Sequence, residues 1–446
     1  MEYIDSFFAE FVSYAWGWQT AVLLLGAGVY FSIKTRLKPF RYLGYAFEVL
    51  QGKHPSKDEV GEVSHFRALT ASLSGTIGLG NIAGVAVAIQ IGGPGAIFWM
   101  WVTAVFGIAT KFFTATLSVL YRETGPDGKP NAGTMYIIKN GLPKYMMPLA
   151  YFFAFSGVIA GLPAFQANQV VQLTNDLYFP EVENFSYYAG AFLVVITAAV
   201  VLGGLKRIAN VSALLVPFMG GLYLVAVLIA VLLNYQQFFP ALTLIVTEAF
   251  SFDSAVVGGL VGVILTGIKR GAFSNEAGIG TEALIHGAAK TSNPVKQGLI
   301  AMTGPIFDTL IMCTLTAVII LISGVYQISD SQGVTLTSEA FLTTLGPVGP
   351  IILFVCVVSF GLSTIFTYSY YGSSCANFLF GEKSVKIYQY IFIIFVFIFS
   401  ITSLDLALNV IDSAFAMMAV PTLIASIWLA PKVIEQSDKY FSSLNK

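Results

Sequence analysis

The chain has 446 residues, 56% hydrophobic and only 11% charged, with a net charge of −1. An ordinary soluble domain is roughly one-quarter charged, so this composition excludes a soluble enzyme, a nucleic-acid binder and a disordered chain, and the balanced charge gives no case for a polyanionic partner. Cys313, Cys356 and Cys375 lie in apolar segments and the three histidines are scattered, which argues against a disulfide framework and against a metal site beyond a coupling cation.

A bilayer core needs roughly 20 apolar residues per helix. On that measure the sequence predicts an all-α polytopic membrane protein with about eleven spans. They run over 16–33, 66–92, 95–121, 147–173, 187–204, 209–234, 254–288, 297–324, 348–380, 386–402 and 405–430. The first positive charge, Lys34, follows span one, so that span reads as a retained helix and not as a secretory signal. The apolar runs are too long and too uniform for alternating barrel strands. Residues 34–66 are basic and amphipathic, with Phe40, Tyr42, Leu43, Tyr45, Phe47 and Leu50 among the charges. They read either as a stretch along the cytoplasmic interface or as an ordered loop.

Charge sorts the segments between spans. Those after spans one, three, five, seven, nine and eleven hold 20 of the 23 Lys and Arg, including Lys57 and Lys446. Segments 1–15, 174–186, 235–253 and 325–347 hold none and carry acidic residues, Asp253 among them. The positive-inside rule then predicts a cell-membrane protein with its N-terminus outside and its C-terminus in the cytoplasm.

Two spans are punctuated. Span two contains Ser74-Gly75-Thr76-Ile77-Gly78-Leu79-Gly80-Asn81-Ile82-Ala83-Gly84, and span seven contains Gly267-Ile268-Lys269-Arg270-Gly271-Ala272-Phe273-Ser274-Asn275-Glu276-Ala277-Gly278-Ile279-Gly280. Each interior glycine costs about 1 kcal/mol of helix relative to alanine, so both stretches are expected to unwind. Gly80 and Gly84 also form a close-packing pair, the alternative reading of span two taken alone. Gly78-x-Gly80-x-x-Ala83 matches a dinucleotide-binding pattern, but it follows no strand and lies within a span. The breaks open two sets of five spans that enter from opposite faces, which suggests an inverted repeat with a binding site at the breaks. The chain accordingly divides into 1–65 (an extra N-terminal helix and the amphipathic stretch), 66–250 (the first five-helix repeat), 251–431 (the inverted second repeat) and a tail at 432–446. An unwound helix presents N–H groups that attract a carboxylate and carbonyls that attract a cation.

Gly78 to Ala86, Gly92-Gly-Pro-Gly-Ala-Ile-Phe-Trp-Met-Trp, Lys269 to Gly280 and Pro294-Val-Lys-Gln-Gly closely resemble the alanine/glycine:cation symporter family. The resemblance covers nearly the whole chain. It implies a LeuT-like fold, two inverted five-helix repeats plus one extra helix, here span one. It also implies import of small amino acids, chiefly alanine and glycine, by alternating access with a cation, usually sodium. By the same resemblance the backbone near Thr76, Gly78, Gly80 and Asn81 holds the substrate carboxylate, and Gln166, Phe273, Ser274 and Asn275 line the pocket. The Ser74, Ile77 and Phe360 carbonyls with the Ser363 and Thr364 hydroxyls form a sodium site. Read without the resemblance, Ser363 and Thr364 fit bonding to the preceding turn, and Gln166 fits interhelical packing.

The chain departs from the family pattern in span nine. Family members commonly carry Trp and then Glu where this chain has Tyr368 and Ser373, so Tyr368 is expected to reshape the pocket. The intramembrane charges are Lys111, Lys269, Arg270, Glu276, Asp308, Asp405 and Asp412; Lys269 or Arg270 is expected to pair with Glu276 or Asp308. Alternatives are a proton-coupled transporter of another zwitterion and an ion channel, although two unlike breaks in one chain do not make a repeated filter ring. No nucleophile–base set supports an enzyme, and no Gly-xxxx-Gly-Lys-Ser/Thr motif supports a primary pump. The expected partners are a small amino acid, a monovalent cation and the bilayer, without a cofactor or nucleic acid.

Overall fold

The computed structural model describes residues 2–51, 53–54, 61–126, 128–251 and 258–444. The expected start of span seven at 254, and Lys57, Asp253 and Lys446, lie outside them. Each predicted span is helical. Span one is Trp18–Lys34, span three Gly95–Leu120, span five Phe185–Val201, span six Gly204–Leu233, span nine Val348–Phe380, span ten Lys383–Ser400 and span eleven Leu404–Trp428. Span eight runs as one apolar rod over Pro294–Ser323. Seven helices among the described residues are long and apolar enough to cross a membrane, or eight with span two counted as a bent pair.

Three spans are interrupted. Span two is His65–Thr76 and Ala83–Gly92, joined by a 3-10 turn at Leu79–Asn81 and bent by 53°. Span seven is Gly259–Asn275 and Thr281–His286. Its connecting turn holds Glu276, Gly278 and Gly280 at φ 54°, 85° and 96°, a left-handed run that only glycine adopts freely. Span four also breaks, between Met147–Ala160 and Ala164–Tyr178, where Pro163 has no N–H to continue the ladder. That interruption lies three residues before Gln166.

Several segments expected to be connecting loops are helices. Glu2–Ala15, Tyr235–Glu248 and Val334–Leu345 occupy three of the stretches without Lys or Arg, and Ala430–Leu444 forms the tail. At 12–15 residues they are too short to cross a bilayer but still bury one face. In the tail, Val433, Ser437 and Phe441 are buried at helical spacing. Residues 38–50 are ordered as Lys38–Arg41 and Leu43–Leu50 and dock on the tail helix. Tyr42 stacks on Phe441 with centroids 4.0 Å apart, the Tyr45 and Tyr440 hydroxyls meet at 2.8 Å, and Lys38 pairs with Asp438.

The basic and the basic-free segments gather at different ends of the bundle. Arg122, after span three, donates to the carbonyls of Gly287, Ala289 and Thr291 after span seven. Val63, just before span two, forms a bridge with Ala289. At the other end Trp99 donates to the Ala249 carbonyl at 3.0 Å, Gln90 to that of Ser331, and Thr335 to Asp176 at 2.7 Å. This two-ended sorting follows the charge pattern of the sequence.

Candidate binding site at two helix breaks

The first break is held open from both sides. Thr76 ends one half-helix, and the next residue, Ile77, leaves helical geometry at ψ 84°. The Gly78 N–H donates to Asn81 Oδ1 at 2.8 Å, so the asparagine side chain replaces a missing ladder bond. Asn81 Nδ2 donates to Ser274 Oγ at 3.1 Å and to the Asp308 carbonyl at 2.9 Å. The Asn81 carbonyl accepts from Thr316 Oγ1 at 2.6 Å. Span nine passes so close that a Cβ on Gly78 would lie 2.4 Å from Thr364 Oγ1.

Span nine meets this break through oxygens. Thr364 Oγ1 donates within 2.9 Å of the Ser74 carbonyl and lies 3.0 Å from the Phe360 carbonyl. Ser74 Oγ donates to the Ser363 carbonyl at 2.8 Å, and Ser363 Oγ to the Phe360 carbonyl at 3.0 Å. The structure thus brings together Ser74, Phe360, Ser363 and Thr364 as expected, with Ile77 at the break beside Gly78. It adds Thr367, whose hydroxyl donates to Ser74 Oγ at 3.1 Å. Residues 363, 364 and 367 share one helical face, the signal that could have found Thr367. A buried group of neutral carbonyls and hydroxyls suits a hard monovalent cation.

The residues expected around the substrate fall into three groups. Phe273 lies over the unwound strand, since a Cβ on Gly80 would be 3.0 Å from its ring. It packs edge-on to Phe165 and tilted to Phe415, each at 5.6 Å. Tyr368 sits 6.4 Å from Phe415, and Gln166 is within hydrogen-bonding reach of the Tyr368 hydroxyl. Gln166 itself is buried, and its Oε1 has no hydrogen-bond partner. Asn81 and Ser274 belong to a different cluster with Thr309 and Cys313, and Thr76 faces Asp308 beside it. Asn275 stands apart: its Oδ1 caps the Ala277 N–H at 2.9 Å, while its Nδ2 is buried and unpartnered. Two amides with unmet hydrogen-bonding capacity are what a polar ligand would satisfy.

Sequence reasoning missed how span nine closes this region. Tyr368 OH donates to Glu276 Oε1 at 2.9 Å, Tyr371 OH to Glu276 Oε2 at 3.4 Å, and Thr281 Oγ1 to Glu276 Oε2 at 2.5 Å. The left-handed Glu276 therefore ties the second break to span nine, and Tyr371 in turn lies against Gly75 of span two. Strained backbone of this kind persists where surrounding contacts over-determine it. One helical turn further along span nine, Ser373 has a buried, unpartnered hydroxyl. It lines a cleft of about 530 Å³ with Tyr136, Tyr370, Asn377 and Gln389.

The expected pairing of Lys269 or Arg270 with Glu276 or Asp308 is corrected. Lys269 Nζ lies 2.7 Å from Asp412 Oδ2 on span eleven, and Arg270 pairs with the same oxygen. The Arg270 guanidinium sits 5.3 Å from the centroid of the Phe273 ring. Both basic side chains lie N-terminal to the break on Gly259–Asn275 and so reach span eleven, whereas Glu276 is turned towards span nine.

Two discontinuous helices crossed by a polar face of span nine are the arrangement of a secondary transporter. Comparison with known proteins gives the family. The sodium:alanine symporter family model matches residues 1–446, and the chain belongs to that family. The sodium/alanine symporter AgcS of Methanococcus maripaludis is 39% identical over 443 residues, covering 97% of this chain and 96% of the relative. The probable sodium/glutamine symporter GlnT of Bacillus subtilis is 33% identical, covering 97% and 89%. Among solved structures, MhsT in complex with L-phenylalanine superposes with a TM-score of 0.60 at 14% identity, covering 85% of this chain and 98% of that one. That likeness establishes the LeuT-like fold. The chain is a multi-pass membrane transporter, an amino-acid symporter by family and not an enzyme.

Proposed function

We propose that the protein imports small neutral amino acids, alanine and glycine, together with sodium by alternating access. The observation that carries this reading is the oxygen cluster joining Ser74 of the first break to Phe360, Ser363 and Thr364 of span nine. An ion there would hold a first-repeat helix to a second-repeat helix, which is how ion binding can bias the two halves towards one state. The substrate carboxylate takes the N–H groups of the unwound strand at Gly80, next to Gly78, whose own N–H serves Asn81, and beside Thr76. The substrate's polar atoms meet Gln166 and Asn275, and its side chain meets Phe273 and Tyr368. The rings of Phe165, Phe273, Phe415 and Tyr368 pack on one another here, which favours a small side chain. The two repeats, 66–250 and 251–431, rock about this site, with the N-terminus outside and the C-terminus in the cytoplasm. The test is counterflow uptake in proteoliposomes with a panel of amino acids, under a sodium or a proton gradient. Alanine and glycine uptake that requires sodium is expected; uptake driven by protons without sodium, or preference for a large amino acid, overturns the assignment.

A further inference from the structure

The other polar cluster, between spans three and eight, is not used by this mechanism. Lys111 of span three is buried, with 1% of its side chain exposed, and its Nζ lies 3.9 Å from Asp308 Oδ2. Asp308 is fully buried, and that oxygen has no hydrogen-bond donor. Its other oxygen accepts from Thr309 Oγ1 at 2.6 Å. Thr309 continues to Ser274 at 3.1 Å and Ser274 to Asn81 at 3.1 Å, so the cluster reaches the first break directly. Residues Ile306–Cys313 are π-helical, a rare conformation frequent at functional sites. Gly304 leaves space for the ammonium: a Cβ there would lie 3.1 Å from Lys111 Nζ.

Two features separate this pair from a packed structural ion pair. A stabilising buried pair is expected to be close and hydrogen-bonded on both sides, whereas this one is long and leaves a carboxylate oxygen open. Thr76 and Thr309 stand at the Asp308 carboxylate and Ser274 one hydrogen bond further on, hydroxyls of the kind that coordinate a hard cation. Glu276, Glu282 and His286 also face Lys111. Lys269 and Arg270 are held by Asp412, so Lys111 supplies the positive charge beside Asp308.

We propose that Lys111 is a tethered cation: its ammonium fills a second ion position at Asp308, next to the first break, so that transport is coupled to one mobile cation instead of two. The charge needed beside Asn81 is thus carried by the protein through every cycle. A second free ion would add its own gradient to the driving force, and a fixed ammonium adds none. The inference rests on the sodium-coupled reading above and concerns a different set of ligands from Ser363 and Thr364.

The test is the sodium dependence of alanine binding and uptake in wild type, Lys111→Gln, Lys111→Arg and the double variant Lys111→Gln/Asp308→Asn. Wild type and Lys111→Arg are expected to follow a hyperbolic sodium curve with a Hill coefficient of about 1. Lys111→Gln exposes the Asp308 carboxylate to a mobile ion, so its curve becomes sigmoidal with a coefficient approaching about 2. The double variant, which removes both charges, returns to a hyperbola. Thermal stability gives a second readout: sodium should raise the melting temperature of Lys111→Gln more than that of wild type, since a ligand that binds only the folded state stabilises it. A hyperbolic Lys111→Gln curve at the wild-type midpoint overturns the proposal. So does a Lys111→Gln protein that sodium does not stabilise while the double variant folds. A wild type indifferent to sodium instead defeats the sodium-coupled reading itself.

Discussion

At the scale of single residues, two adjacent hydroxyls are not equivalent. Thr364 Oγ1 reaches across to the Ser74 carbonyl at 2.9 Å. Ser363 Oγ bonds back to its own turn at Phe360 and otherwise faces Met219 Sδ at 3.7 Å. A dehydrated cation in a low-dielectric interior needs each oxygen that replaces its water. Thr364→Ala is therefore expected to raise the sodium concentration for half-maximal uptake by about tenfold, which corresponds to about 1.4 kcal/mol. Ser363→Ala should raise it less, and Thr364→Ser should stay near wild type. Sodium titrations of alanine uptake measure all three; a Ser363→Ala effect larger than that of Thr364→Ala would mean that the ion sits on the other side of span nine. Ser363 and Thr364 were singled out by the family resemblance, since hydroxyls in an apolar run taken alone fit bonding to the preceding turn. Thr367 was hidden because hydroxyls in a helix more often bond to the preceding turn, and only the contact with Ser74 separates the two cases.

At the scale of elements, the breaks in spans two and seven were legible because glycine penalises helix wherever it stands. The geometry inside the breaks was not. The side chain of Asn81 serves Gly78 within the break and also Ser274 and Asp308, partners 193 and 227 residues away that no local pattern specifies. The Lys269–Asp412 and Arg270–Asp412 pairs were missed for the same reason, since charge alone allows several partners and only the packing of span seven on span eleven selects one. The π-helical stretch of span eight left no periodic signal, because one wide turn shifts the register of an apolar run without changing its composition. The close approach of the first break to span nine yields a sharp expectation. A methyl group on Gly78 would stand 2.4 Å from Thr364 Oγ1, and Gly78 φ is −139°, a region open to alanine. Gly78→Ala therefore avoids the left-handed region that only glycine adopts freely, and its methyl group pushes Thr364 aside. It should leave the detergent-solubilised protein folded and monodisperse while reducing sodium-dependent alanine uptake at least about fivefold, an overpacking effect of about 1–3 kcal/mol. Wild-type uptake in Gly78→Ala would show that Thr364 is free to move without consequence for the ion.

At the scale of the whole molecule, the sequence separated two kinds of inter-span segment by charge, and the fold gathers them at opposite ends. The tail helix Ala430–Leu444 and the helices at 38–50 pack together through Tyr42, Tyr45, Phe441 and Tyr440, so the end of span one and the end of span eleven share a side. That relation requires an odd number of crossings from the first span to the last, as eleven spans demand. The short helices Tyr235–Glu248 and Val334–Leu345 lie at the other end and were read only as loops, because a half-buried helix of 12–14 residues lacks the length that marks a span. Which end faces the cytoplasm is an expectation from Lys and Arg alone, and it is open to a direct measurement. The native cysteines Cys313, Cys356 and Cys375 are buried, so background labelling of the folded protein is expected to be low. Single cysteines at exposed positions on the two ends, Gln236→Cys and Gln327→Cys at one, Glu382→Cys and Glu435→Cys at the other, should then report orientation cleanly. In intact cells a membrane-impermeant maleimide is expected to label the first two and not the second two, and permeabilisation should make all four reactive. The reverse pattern would overturn the orientation read from Lys and Arg, although an inward sodium gradient would still drive import, since the gradients and not the orientation set the direction of a symporter. Labelling of one site from each pair would instead break the two-ended sorting, and with it the odd span count on which the inverted repeat depends.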